Sequence, residues 1–293
     1  MINKFDLGEN KINFKPGSYV FVTTVTKEFV DFAINWNLSL KGIDEDKNSI
    51  VICLDKESYN ILESKNILCV LLEAKNIVNK NRADWIENEK YYKAAGPFYL
   101  HKKYKLDIIS SDTDIVFFKN PVPVLKEEIS AGFDLVVISD KRFDKFVPNR
   151  EKGRIKLLDF SKRNIVDYGV QDQAKFGEPN GAFGYFPYTE KMTKLWEVFF
   201  PNSEYLKEFP VGIEDGAAQT IFNKRLKALD IKCKVLSVFD FPNGSVWQVP
   251  YLKEKIKNNC YIMHYNFCLN SDPIPAAEEK RNWMKSDGTW LLT

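Results

Sequence analysis

The chain has 293 residues, 44% hydrophobic and 14% aromatic, enough to bury a sizeable core in one globular unit. Its 42 basic and 40 acidic residues leave a formal charge of +2, which gives no electrostatic case for a nucleic-acid partner. No stretch approaches the roughly 18 consecutive apolar residues of a transmembrane helix, and the polar start MINKFDLGENKINFKPGS lacks an apolar leader. A cytoplasmic setting, bacterial or viral, is the expectation. The five cysteines, Cys53, Cys69, Cys233, Cys260 and Cys268, include no Cys-x-x-Cys pair, so buried reduced thiols are expected. Asn37-Leu38-Ser39 and Asn243-Gly244-Ser245 match the glycosylation sequon, which means little without a secretory route.

Tyr19-VFVTTV-Thr26 reads as a buried strand. Lys27 to Lys41 reads as a helix with Phe29, Phe32, Trp36 and Leu40 on one face. Ser49-IVICL-Asp55 is a second strand, Glu57 to Ser64 a short helix, and Ile67-LCVLL-Glu73 a third strand. This alternation predicts βαβ units and a mostly parallel sheet flanked by helices, with ligands gathering beyond the carboxyl ends of its strands. Thr23 to Thr26, Asp55, and Asp112 with Asp114 occupy those ends. Asp134-LVVIS-Asp140 is a further strand. Lys141 to Arg163, rich in Lys and Arg and broken by Pro148 and Gly153, reads as a solvated loop; its functional alternative is a lid lending positive charge to a diphosphate. Gly181-AFGYF-Pro187 is a strand. Thr189 to Phe200 is a helix, N-capped by Thr189, with Met192, Leu195, Trp196 and Phe199 inward. A second helix runs from about Asp215 to Leu226. Short strands and the segment Tyr261 to Leu291 complete the chain.

Within Leu106-DIISSDTDIVFFKNP-Val122 an apolar strand runs into two carboxylates two residues apart. Strand alternation projects Asp112 and Asp114 to the same side, and two converging oxygen donors suit Mg²⁺ or Mn²⁺. An isolated Asp-x-Asp also occurs at ordinary solvated strand ends. Only two histidines are present. His101, flanked by lysines at a helix end, reads as a surface residue. His264 closes the apolar run Tyr261-Ile262-Met263, where a lone imidazole often serves structure; it can also complete a Mn²⁺ site begun by two carboxylates. Lys280 follows, and a lysine near a metal neutralises a diphosphate as a point cation. Tyr185, Phe186, Trp247 and Tyr251 could stack on sugars, although core packing suits most of them better.

Four blocks together resemble the nucleotide-diphospho-sugar transferases of the GT-A fold, and most of all their plant-type α-xylosyl- and arabinosyltransferase group. They are VTTVTKEFVDFAINWNLSL, IISSDTDIVFFKNP, PNGAFGYFPYTEKMTKLW and MHYNFCLNSDPIPAAEEKRNWMKSDGTW. The resemblance implies one Rossmann-like GT-A domain over 1–293 with a smaller mixed C-terminal sheet. Residues 1–17 would be an extension, 18–130 a nucleotide-binding half, and 131–293 an acceptor half. It further implies that Asp114 binds the metal, that Asp112 serves the metal or the donor ribose, and that His264 is the third ligand. Lys280 would touch the donor phosphates and Lys93 would stand near the leaving group. Thr23 and Thr24 would border the nucleobase or ribose, and Asn180 and Gly181 would line the sugar pocket. Departures are also visible. Related enzymes commonly carry adjacent Asp-Gln where this chain reads Ile213-EDGAAQTIFN-Lys224, so Asp215 or Gln219 could take the reacting position, with Glu214 a candidate. The glycine usual a few residues after the histidine is absent, with Asn270, Ser271 and Asp272 there.

The implied activity is metal-dependent transfer of a sugar from a nucleoside diphosphate, UDP by expectation, to a hydroxyl of a glycan or glycoconjugate. The cofactor would be Mn²⁺ or Mg²⁺, and retention of configuration is favoured. Two rivals stand beside it. A sugar-nucleotide pyrophosphorylase would be expected to carry a Gly-rich phosphate loop after the first strand, and Val22-TTVTKEF-Val30 has no glycine. A catalytically inactive nucleotide- or glycan-binding domain of the same fold would keep the same residues.

Overall fold

The computed structural model describes residues 5–6, 12–72, 96–140, 179–197, 218–247, 250–266 and 273–292. Its strands are β1 (Phe5–Asp6), β2 (Tyr19–Val25), β3 (Ser49–Cys53), β4 (Cys69–Leu72), β5 (Asp107–Ser111), β6 (Ile115–Phe117), β7 (Leu135–Ser139), β8 (Pro179–Phe186), β9 (Cys233–Val235) and β10 (Ile262–His264). The helices are α1 (Val30–Lys41), α2 (Lys56–Ser64), α3 (described over 96–104), α4 (Val122–Ser130), α5 (Glu190–Glu197), α6 (Ala218–Ala228), α7 (Gly244–Trp247), α8 (Pro250–Ile256) and α9 (Pro273–Ser286).

Among the described residues, eight strands form one sheet in the order β1-β4-β3-β2-β5-β8-β7-β9. The pairs β2–β3, β3–β4, β2–β5 and β7–β9 are parallel, while β8 runs antiparallel to both β5 and β7. Each strand feeds alternate side chains to opposite faces. Val20, Val22, Ile50, Ile52, Val70 and Ile108 enter one core; Phe21, Val25, Val51, Leu71 and Ile109 enter the other. Trp36 and Leu40 of α1 and Leu62 of α2 cover the second face. Leu100 of α3, Met192 and Leu195 of α5, and Phe222 and Leu226 of α6 cover the first. Because both faces are covered, the central strands are near-continuous apolar runs.

That layout fixes where a ligand can enter. From β2 the chain steps outward through β3 and β4, with α1 and α2 on one face. It then returns to β5, on the other side of β2, with α3 on the opposite face. The carboxyl ends of β2 and β5 therefore flank a topological switch point, the place where a crevice opens on such sheets. Local chemistry supports the turn at β3: Asp55 caps α2 by accepting from Ser58 N at 2.7 Å and also accepts from Lys27 N at 2.8 Å. The cap starts α2 at Lys56, one residue before the expected Glu57.

The expected fold class holds. The helix cap at Thr189 is present, its Oγ1 accepting from Met192 N at 3.2 Å. Phe199, Cys268 and the basic stretch Lys141 to Arg163 lie outside the described residues. Two expectations need correction. The second sheet is antiparallel, not mixed, and joins mid-chain β6 to β10 near the C-terminus. His101 is fully buried, not on the surface: Nε2 lies 3.1 Å from the Phe186 carbonyl and Tyr188 packs edge-on against the ring. The four described cysteines are buried and none is in a disulfide, as expected. Among the described residues no helix is long and apolar enough to cross a membrane.

Candidate functional site

The acidic pair lies at the switch point, but not for the reason strand alternation gave. Strand β5 ends at Ser111, and Asp112 to Asp114 form the turn into β6, closed by Ile115 N on the Asp112 carbonyl at 3.3 Å. Asp112 N continues the ladder to β8 by donating to Ala182 O at 2.7 Å. The convergence of the two carboxylates comes from this turn. A buried indole supports it from below: Trp36 Nε1 donates to Ser111 Oγ at 3.0 Å, and Ser111 Oγ donates to the Asp112 carbonyl at 3.1 Å. The sequence pattern shows Trp36 only as an apolar-face residue; the need of a buried indole N–H for a partner is the signal for this second role.

Backbone pairing brings in the histidine. Strand β10 runs antiparallel to β6 with His264 opposite Ile115, and Tyr265 N donates to the Asp114 carbonyl at 3.0 Å. His264 Nε2 then lies 3.4 Å from Asp114 Oδ1 and 3.9 Å from Asp112 Oδ2. One ligand atom from each of Asp112, Asp114 and His264 falls within 4.8 Å of the others. Lys280 reaches the same carboxylate from α9, its Nζ 2.5 Å from Asp114 Oδ2. Helix α9 is anchored to the first turn of α1 by Arg281 and Asp31, paired at 2.7 Å, and to the residue after β10 by Trp283 packed edge-on to Tyr265. Asp287, just past α9, accepts from Trp247 Nε1 at 2.6 Å and also binds Lys253.

The electrostatics favour a charged acid. Burial works against ionising Asp114 and is the largest influence on it, yet the groups beside it prevail. Lys280 and His264 together hold its carboxyl well below the usual carboxylate range. Asp114 Oδ1 is buried without a hydrogen-bond partner although His264 Nε2 stands 3.4 Å away. An unpaired buried carboxylate oxygen is costly, and a divalent cation among Asp112, Asp114 and His264 would satisfy it. Two carboxylates and an imidazole are a donor set that Mn²⁺ accepts. The residues fit such an ion.

The remaining predicted residues divide. Thr23 and Thr24 lie inside β2, not after it, and alternate faces; Thr23 is buried with Oγ1 unpartnered. Asn180 and Gly181 open β8, one strand from Asp112; Asn180 donates to Asp140 Oδ1 at 3.3 Å and accepts from Ala182 N at 2.8 Å. Gln219 is in the first turn of α6, a helix whose Phe222 packs against Gly181. Lys93, Glu214, Asp215 and the loop holding Asn270, Ser271 and Asp272 lie outside the described residues. Tyr185, Phe186 and Trp247 are buried, so they pack the core and do not present sugar-stacking faces. Asn243 of the sequon is likewise fully buried, its amide donating to Ser139 O at 3.2 Å.

An α/β sheet with an acidic turn, an imidazole and a lysine at its switch point defines a protein of the GT-A, Rossmann-like class. The chain belongs to the nucleotide-diphospho-sugar transferase family, whose model matches residues 45–281, and it is a glycosyltransferase. Its fold is similar to that of the galactosyltransferase LgtC, solved in complex with donor and acceptor sugar analogs. That match has a TM-score of 0.52 at 12% identity and covers 93% of this chain and 96% of LgtC. It is also similar to the bifunctional glycosyltransferase WbbM in its apo form, with a TM-score of 0.52 at 9% identity, covering 88% of this chain and 47% of that one. At such identities the likeness speaks for the fold. No curated protein matches the sequence.

Proposed function

We propose that the protein transfers a sugar from a UDP-sugar to a hydroxyl of a glycan or glycoconjugate, with a divalent cation, Mn²⁺ or Mg²⁺, held by Asp112, Asp114 and His264. The observation that carries this reading is the meeting of the Asp112–Asp114 turn with His264 and Lys280, from far along the chain, around the buried Asp114 carboxylate. Breaking the anomeric carbon–oxygen bond leaves charge on the departing diphosphate and an oxocarbenium-like sugar. A bound cation supplies Lewis-acid stabilisation of the leaving group. Lys280 adds a fixed positive charge on the same side, and Lys93 is proposed to assist it. Thr23 and Thr24 are proposed at the nucleoside, and Asn180 and Gly181 along the donor sugar. Gln219, with Asp215 and Glu214, is proposed at the reacting face, where an amide or carboxylate stabilises the developing positive ring. Retention of configuration is part of the proposal because the family resemblance favours it. The four-block likeness to the plant-type α-xylosyl- and arabinosyltransferases supports pentose and hexose donors as the first to try.

A panel of UDP-sugars tested with and without Mn²⁺ checks the reading. Metal-dependent release of UDP from one donor, with product anomers assigned by NMR, is expected. Binding of UDP with no turnover on any donor would contradict it, and so would pyrophosphate release from sugar-1-phosphate and UTP.

A further inference from the structure

The Asp114 carboxylate is divided between two neighbours of different kinds. Its Oδ2 takes the Lys280 ammonium at 2.5 Å, whereas its Oδ1 has no hydrogen-bond partner and faces His264. Little water reaches this carboxylate, whose side chain is 8% exposed. A dication on Oδ1 and an ammonium on Oδ2 would share one carboxylate in a poorly screened place, and they repel each other. Lys280 thus offsets part of the negative charge that Asp112 and Asp114 offer a bare dication. Lys280 also has the means to leave. Its backbone is fixed because the next residue, Arg281, is clamped to Asp31, but the amine rides on a flexible four-carbon stem with three donors. A diphosphate arriving beside the cation offers that amine several oxygens.

We propose that Lys280 gates the cation position: paired with Asp114 it opposes a bare divalent cation, and a diphosphate draws it away so that cation and nucleotide bind as one unit. The proposal rests on the nucleotide-sugar reading of this site. It adds a coupling between two ligands that the donor set alone does not require. By linkage, the factor by which UDP tightens the cation equals the factor by which the cation tightens UDP.

The test is Mn²⁺ binding to the full chain, followed by the EPR signal of free Mn²⁺, with UDP absent and then saturating. Wild type, Lys280→Met and Lys280→Arg are compared. The wild type is expected to bind Mn²⁺ about tenfold or more tightly once UDP is present. Lys280→Met is expected to bind bare Mn²⁺ about tenfold more tightly than wild type and to lose most of the UDP effect. Lys280→Arg, which keeps the charge, is expected to keep the weak bare binding. A lysine that only touched phosphate would leave bare Mn²⁺ affinity unchanged in Lys280→Met, and that result overturns the gate while leaving the transferase reading intact. If Lys280→Met does not fold, the wild type decides: equal Mn²⁺ affinity with and without UDP overturns the gate. No Mn²⁺ binding under either condition overturns the metal-dependent reading and the gate with it.

Discussion

The two histidines sit in regions alike in burial and opposite in chemistry. His101, between α3 and β8, meets a backbone carbonyl and an aromatic ring, and the Asp107 carboxylate is the least of the influences on it. His264, on β10, stands within 4 Å of two carboxylates and beside a lysine that holds one of them charged. Each has Nδ1 buried without a hydrogen-bond partner. Burial alone therefore does not mark a site. What distinguishes His264 is the pair of carboxylates that converge on it. His101 is a core residue that stays neutral, its pKa pushed down to about 4 by desolvation.

The largest effect is expected from removing the charge that separates the two regions. Asp114→Asn keeps volume but deletes the central carboxylate, and sugar transfer should fall by about 10³-fold or more, in line with losing a main electrostatic element of a site. Circular dichroism should show the fold kept; near-normal turnover would erase the distinction between the regions.

The second prediction concerns His101 and its pH sign. Its folded pKa, about 4, lies below the ordinary 6.5, so between those values the unfolded chain binds the extra proton. Stability is then fully present above about pH 6.5 and declines as pH falls toward 4, by roughly 3 kcal/mol in total at about 1.4 kcal/mol per pKa unit. Urea unfolding of wild type and His101→Phe should show the wild-type advantage shrinking by that amount between pH 7 and pH 4. A difference that does not change with pH would show that His101 carries no such burden.

A smaller effect is expected at the other ring. His264→Gln should weaken Mn²⁺ in the presence of UDP by about 10- to 100-fold, with little change in UDP binding when metal is absent. An unchanged Mn²⁺ affinity would return His264 to a structural role like that of His101. The smallest effect belongs to the clamp on α9. Arg281→Met breaks a half-exposed pair with Asp31 and should cost only about 0.5–1 kcal/mol in stability by thermal unfolding. It should nonetheless raise the donor KM, because α9 carries Lys280.

Much of the frame could be read in the sequence. The strands at β2, β3, β4, β7 and β8 were visible as apolar runs because a sheet covered on both faces needs them. The acidic pair was also visible, although a turn and not strand alternation brings its carboxylates together. His101 was misread from its lysine neighbours Lys102 and Lys103. Pro97, Leu100, His101 and Tyr104 fall at helical steps on one face, all buried or half-buried, and that stripe was the signal for an inward ring. The closure of the site is legible only through the family resemblance, which brings in His264 and Lys280; the contacts that hold it shut are not. Arg281 to Asp31 and Asn35 to Thr289 join residues some 250 positions apart. No local pattern encodes such a pairing, since it depends on where β10 docks along β6.

Pulsed EPR of Mn²⁺ bound to the protein with UDP decides whether His264 is a ligand. A coupling from one histidine nitrogen that persists in His101→Phe and disappears in His264→Gln is expected. A Mn²⁺ complex with no nitrogen coupling, or one untouched by His264→Gln, would contradict that role.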